Sequence, residues 1–500
     1  MTAVPRLVVS APSSGHGKTA VAVGLLAACA ARGITVAGFK IGPDYTDAAY
    51  LGLAARRPGR NLDPQLVGAE RIGPLFAHGS AGADLAVIKG TMGLFDSLAG
   101  RAETDSTATV AAALRAPVIL VLDVSAMGQS VAAVVHGFRA YDEVLSLGGV
   151  ILNKVASDRH EQLLREALDD IGTPVLGVLR RRDLAAALPS RQHGVMPVAH
   201  RSIEASRAVR RLGESVGAAV DLDRILALAR SAPQLPVEPW SSGESDPGEP
   251  GGRRPVVAVA GGPAMPYAYA ETAELLAAAG ATVAPVDPLR DEALPEGTDA
   301  LVIGGALPES YAEELSANRR LCAAVAELAR SGAPVLAEGT GLLWLAREFD
   351  GRPMCGVLDV TGVSMDQTVV GYREATARAT TAVAQSGTRL VGYKQHRGVV
   401  IPRAGQTPAW SWGSGAAEGF VWRRVHASQL ALHWAGVPGI ARRLVAAAAV
   451  ALPAPVPPSA VAPTAPSAPA PLEPAPTPST PAVPAQAPPG RGADAEDVEA

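Results

Sequence analysis

The stretch LVVSAPSSGHGKT, residues 7–19, decides how this chain is read. Its β-branched apolar start reads as a buried strand, and it breaks into a Gly/Ser-rich turn ending in Gly17-Lys18-Thr19. The Ala-rich segment that follows predicts a helix over 18–32. Such a turn leaves backbone N–H groups free to wrap phosphate oxygens, and the helix N-terminus favours anions. Ser13, Ser14, Gly15 and Gly17 would form the cradle, Lys18 would reach the β- and γ-phosphates, and the Thr19 hydroxyl would sit on Mg²⁺. Pro12 stands where the full phosphate-loop pattern asks for glycine, so this is a variant loop.

Working outward, further Val/Ile/Leu runs alternate with helical patterns: ITVAGFKIG, DLAVIKG, APVILVLDV, GGVILNKV and TPVLGVL. Each ends in a polar turn. Pro43-Asp44-Tyr45-Thr46-Asp47 follows the second run, Thr91 to Asp96 the third, and Asn153-Lys154 ends the fifth. This alternation predicts an α/β fold with a doubly wound parallel sheet, whose ligands bind at the carboxyl ends of the strands. Residues 231–254 switch to Pro, Gly, Ser and acidic residues, the composition of a linker. A second α/β series, PVVAVAGGPAM, ATVAPVDPL, DALVIGGALPES and APVLAEGTGLLWL, then runs with shorter β-like segments to about residue 449. The expected layout is therefore 1–230 for a nucleotide-binding domain, 231–254 for a linker, 255–449 for a second α/β domain and 450–500 for a tail. That tail is Pro/Ala-rich and cannot bury enough apolar surface to order itself, so disorder is expected there.

A net charge of −4, with no Lys/Arg block, favours neither nucleic acid nor a membrane surface. No apolar stretch approaches transmembrane length, and the chain enters its first strand without a signal-peptide layout. Three cysteines in 500 residues make no disulfide framework. Cys29 and Cys322 lie on Ala-rich helical patterns and read as buried small hydrophobes. A cytoplasmic protein is expected.

With these pieces placed, SAPSSGHGKT, FKIGPDYTD, NLDP, MGLFD, VLDVSAMGQS and GVILNKV resemble the N-terminal domain of cobyrinate (hydrogenobyrinate) a,c-diamide synthases. GGALPESYAEELSANR, the APVLAE…GLL turn and GVPG resemble their class I glutamine-amidotransferase domain. The resemblance runs from about residue 5 to about 445. It implies an enzyme that uses ATP and Mg²⁺ to phosphorylate two side-chain carboxylates of a corrin precursor. Ammonia from glutamine then displaces each phosphate. It also implies that Asp44, Asp47 and Asp96 lie near the metal and the reacting carboxylate, with Thr19 and Asp47 on the metal. Asn153 could face the nucleotide base or serve structurally.

The departures carry as much information. Where the family reads Ala-Glu-Cys-Gly-Gly-Leu-Leu, this chain has glycine at the cysteine position, Gly339, within Ala337-Glu338-Gly339-Thr340. Glutamine hydrolysis through a thioester needs a thiolate there. Thr340 is no substitute, because its hydroxyl would need a strong base. The family's histidine position in Tyr-Leu-His-Leu-His-Trp is Ala431 here, while His396, His426 and His433 remain as structural residues. Cys355 lies well past the turn and reads as a buried thiol. In the first domain Lys89 replaces the acid expected to help hold Mg²⁺. That weakens metal binding unless Lys89 turns outward, or else lets its ammonium neutralise phosphate oxygens.

Two function classes follow. One is an ATP-dependent carboxylate-activating amide ligase with a dead glutaminase, taking free ammonia or another nucleophile and acting on a corrin precursor. The other is a non-catalytic paralogue that binds nucleotide or another ligand as a partner subunit, or one recruited to activate a different acid in specialised metabolism. A small-molecule carboxylate is the expected substrate, with a homodimer or a partner protein as the possible assembly.

Overall fold

A computed structural model describes residues 3–450 except 101, 185–187, 192–193, 196, 199–201, 244–252 and 414. The tail expected to be disordered, 451–500, lies outside the described residues.

The apolar runs form strands for the reason the sequence suggests. Each is short, β-branched and buried on both faces, so its backbone polar groups are best paired laterally. The first half contains β1 (Arg6–Ser10), α1 (Lys18–Ala31), β2 (Val36–Ile41), α2 (Tyr45–Ala55), β3 (Arg60–Leu62), β4 (Leu85–Lys89), β5 (Val118–Asp123), β6 (Leu147–Val155) and β7 (Val175–Arg180). These strands make a seven-stranded parallel sheet in the order β3-β2-β4-β1-β5-β6-β7. The chain leaves β1 towards β2 and later returns to β5 on its other side. The crevice at this reversal opens outside the carboxyl ends of β1, β4 and β5. The helix α3 (Ser202–Ala219) lies close on α1, and a Cβ on Gly24 would meet Val216 Cγ2 at 2.5 Å.

The second half contains β8 (Val256–Ala260), α4 (Ala270–Ala278), β9 (Thr282–Val286), β10 (Thr298–Ile303) and β11 (Val335–Glu338). It continues with β12 (Leu358–Ala377), β13 (Arg389–Ile401), β14 (Phe420–Trp422) and β15 (Val425–Ser428). Its main sheet runs β9-β8-β10-β11-β15-β14, parallel except for the last pair. The shorter β-like segments expected after residue 345 include a long antiparallel hairpin, β12 with β13, which anchors a second sheet. Its length was hidden by glycines and by a register break between Ser364 and Val369, which interrupt the alternation.

The segment read as a linker is partly packed. Leu235 and Trp240 are buried, Trp240 N–H bonds Pro74 O at 2.9 Å, and its ring meets His78 edge-on. Two large apolar side chains are reason enough to dock a Pro-rich strand.

The halves meet through polar and aromatic contacts. Arg60 bridges to Glu271 at 2.7 Å and to Glu274 at 2.5 Å, both on α4. The Tyr45 ring lies 5.5 Å from Tyr267 and 4.5 Å from Tyr269, and Tyr269 stacks on His433 at 4.1 Å. Among the described residues no helix is long and apolar enough to cross a membrane.

Candidate active site

The loop between β1 and α1 is held from three sides. Gly15 and Gly17 take φ of +90° and +97°, the left-handed region that favours glycine. At Gly17 a Cβ would also meet Asn153 Nδ2 at 2.6 Å. That carboxamide donates to His16 O at 2.9 Å, and His16 Nδ1 accepts from Asp123 N at 2.8 Å, so the ends of β5 and β6 clamp the loop. Lys18 Nζ donates to Ser13 O at 2.7 Å. No side chain caps α1 and no acid occupies its first turn, which leaves the N-terminal amides aimed at the crevice. Ser14, Gly15, Gly17, Lys18, Thr19 and Lys89 line a pocket of about 460 Å³. Asn153 is only 2% exposed, and its carboxamide holds the loop backbone.

The acid turn after β2 is the start of a helix. Asp44 caps α2, accepting from Thr46 N at 2.6 Å and Asp47 N at 3.1 Å. Burial, and then the neighbouring Asp47, push the Asp44 carboxyl above its ordinary value. Burial alone would raise Asp47 as well, but the Lys89 and Lys40 ammoniums outweigh it and hold Asp47 below its ordinary value. Lys89 Nζ sits 2.5 Å from Asp47 Oδ2, and Asp47 also bonds the Thr19 hydroxyl. Burial lowers Lys18 to about 8, with Lys89 adding to the effect. Asp96 is exposed; its Oδ2 accepts from Gly93 N at 2.8 Å, which closes the turn after β4. A Cβ on Gly93 would meet Pro12 O at 2.3 Å, so that turn packs directly on the phosphate loop.

Two residues absent from the expected set belong to this corner. Lys40 is 1% exposed, bonded to Ile41 O and lowered to about 8 by burial and then by Lys89. A lysine inside the apolar run GFKIG was the available signal. Asp63 is fully buried, caps a short helix through Gln65 N and Leu66 N, and accepts from Tyr372 Oη at 2.8 Å. Burial pushes its carboxyl up to about 6.

The residues present do not fit a divalent cation. At a phosphate site such an ion takes one or two carboxylates free to bind it, besides phosphate and water oxygens. Asp47 is instead neutralised by Lys89, and Lys18 and Lys40 add further positive charge. Lys89 neither turns outward nor stands alone: it is buried against the acid assigned to the metal.

In the second half β11 ends at Glu338, and Gly339, the next residue, takes φ of +58°. The sharp strand-to-helix turn is thus kept without a side chain on it. A Cβ there would meet only Gly305 Cα at 3.6 Å, an ordinary contact. Gly339, Thr340 and Ala431 line a small cavity of about 60 Å³, whose other wall includes Asp44 and Tyr45. The Thr340 hydroxyl accepts from Ala306 N and donates to Ala306 O, both at 2.7 Å, so it is fixed by backbone. No cysteine or histidine is among the residues lining this cavity. His396 bonds Gly398 O at 3.0 Å, and His426 meets Thr381 Oγ1 at 3.2 Å. His433 is buried under Tyr269. Burial lowers all three imidazoles, to about 4 at His396 and about 3 at His426. Cys355 is buried in the second core beside Cys322.

Comparison with known proteins accords with this geometry. Residues 7–195 match the CobQ/CobB/MinD/ParA nucleotide binding domain, and residues 256–436 match the CobB/CobQ-like glutamine amidotransferase domain. The hydrogenobyrinate a,c-diamide synthase of Streptomyces coelicolor is 52% identical over 89% of this chain and 97% of its own length. That of Thermobifida fusca is 46% identical over 90% and 98%. The cobyrinate a,c-diamide synthase of Syntrophotalea carbinolica is 36% identical over 88% and 98%. Joining a phosphate loop to an amidotransferase fold along nearly its whole length, this chain belongs to the family of the cobyrinate and hydrogenobyrinate a,c-diamide synthases.

Proposed function

We propose that this chain is an ATP-dependent carbon–nitrogen ligase of cobalamin biosynthesis that amidates side-chain carboxylates of a corrin precursor, with free ammonia as the nitrogen source. In the first step a substrate carboxylate oxygen attacks the γ-phosphorus and ADP leaves, giving an acyl phosphate. Ammonia then attacks the acyl carbon, phosphate leaves, and one proton is lost from nitrogen. The Lys18 ammonium and the loop amides offset the charge that gathers on the transferring phosphoryl group. Asp44, whose carboxylate burial makes more basic, is the group assigned to take the proton from nitrogen. Asp47 and Asp96 position the loop and the turn around the reacting carboxylate.

The observation that supports this reading is the shared cavity between the halves, which has Asp44 on one side and Gly339 with Ala431 on the other. Nitrogen can reach Asp44 from there, but no thiol in the lining can release it from glutamine. Purified protein incubated with ATP, ammonium and hydrogenobyrinate should yield the amide, read as a mass change per carboxylate. Glutamine in place of ammonium should yield none. Amide formed from glutamine, or no product from ammonium, would refute the reading. The Lys89–Asp47 pair favours a second reading, a nucleotide-binding partner subunit without turnover; substrate-dependent ADP release would exclude it.

A further inference from the structure

The charged residues lining the nucleotide pocket are both cations, Lys18 and Lys89. No carboxylate lines it among the described residues; the nearby Asp47 is paired with Lys89. Lys89 is held in place by its strand: its Cα pairs with Val9 on one side and Lys40 on the other, and its side chain is 7% exposed. An ammonium has three N–H donors. One is committed to Asp47, which leaves two for ligand oxygens. A magnesium–triphosphate complex would carry its metal towards this ammonium, in a wall that offers it no carboxylate oxygen. A free triphosphate carries only anionic oxygens, which Lys18, Lys89 and the loop amides all complement.

We propose that this pocket takes a nucleoside triphosphate in its metal-free form, with the Lys89 ammonium as a built-in countercharge where a divalent cation would otherwise sit. The inference rests on reading the pocket as a triphosphate site. It adds that Lys89 decides which ionic form enters.

The test is calorimetric titration of the full chain with the non-hydrolysable analogue AMPPNP, once in excess EDTA and once in excess Mg²⁺. The wild-type protein should bind at least as tightly in EDTA as in Mg²⁺. Lys89→Met should weaken binding in EDTA by about tenfold or more, the effect of losing a charge-assisted bond to phosphate. Lys89→Glu should reverse the preference, binding the analogue only with Mg²⁺. Melting curves would check that both variants fold, while the wild-type comparison stands without them. Wild-type binding at least tenfold tighter in Mg²⁺ than in EDTA overturns the inference and leaves the triphosphate reading intact. Failure to bind in either buffer overturns both.

Discussion

Replacing Arg60 by methionine tests whether the two halves are locked by charge. Arg60 is 8% exposed, and its partner Glu271, 2.7 Å away, is 1% exposed. Methionine fills much of the same volume but leaves the Glu271 carboxylate buried without its cation. Breaking one side of a buried pair costs about 3–5 kcal/mol. The Glu274 arm is partly solvated and adds at most about 1 kcal/mol. At about 1.4 kcal/mol per decade, opening of the interface should become roughly a hundred- to ten-thousand-fold more frequent. Hydrogen exchange in α4, the helix carrying both acids, reads this directly, and the melting temperature should fall in parallel. The double variant Arg60→Met with Glu271→Met should recover most of the loss, since the only carboxylate it leaves without its arginine, Glu274, is partly solvated. Acid sensitivity checks the sign. Burial opposes ionisation of Glu274, but the Arg60 guanidinium outweighs it and holds the carboxyl below its ordinary 4.5. Its contribution is therefore full above pH 4.5 and is lost as the pH falls through the lowered value, and the Arg60→Met protein should lack that loss. A single-variant cost below about 1 kcal/mol, or a double variant that costs the sum of the singles, would refute the argument.

Asp63, pushed up from 3.8 to about 6, binds its proton more tightly in the folded state. Its contribution is full below pH 3.8 and declines as the pH rises through 6, by roughly 2–3 kcal/mol. Asp63→Asn keeps an acceptor for the helix cap and should flatten urea-unfolding stability across that window. Thr340→Val removes the hydroxyl from both Ala306 groups and should cost about 2–3 kcal/mol in thermal unfolding, while ammonium-dependent product formation per folded molecule stays unchanged. Asn153→Ala releases the loop at His16 O and should weaken AMPPNP binding about tenfold in calorimetry. Gly17→Ala should be worse than Asn153→Ala, because it adds both backbone strain at φ +97° and overlap with Asn153.

The phosphate loop was legible because strand, turn, Gly-Lys-Thr and helix each obey a local rule, and the rules agree. Most strands of the first sheet were legible for the same reason, being buried on both faces. Less could be read where a residue has two local meanings. Asp44 and Asp47 looked like a polar turn, although an acid three residues ahead of another is also a cap signature. Lys89 offered two readings, outward or towards phosphate, and the structure shows a third, pairing with Asp47. That partner lies 42 positions away, and no periodicity encodes it. The same holds for Asp63 with Tyr372 and for Asn153 with His16, where sequence separation hides the contact. The small residues at Gly339 and Ala431 were visible at once. That both face one small void beside Asp44 was not, since it depends on how the halves dock.

The aromatic ladder at the junction has a consequence for how such a chain can drift. Tyr45 is the first residue of the helix that Asp44 caps and that carries Asp47 in its opening turn, and its ring lies against Tyr267 and Tyr269. The back half is therefore a splint for the front half, setting where two carboxylates point. Substitution at Gly339 or Ala431, which lie outside these ring contacts, changes little in that splint. Erosion of Tyr269 would misalign the front half at once, so selection on the ATP-handling half alone suffices to preserve the fold behind it.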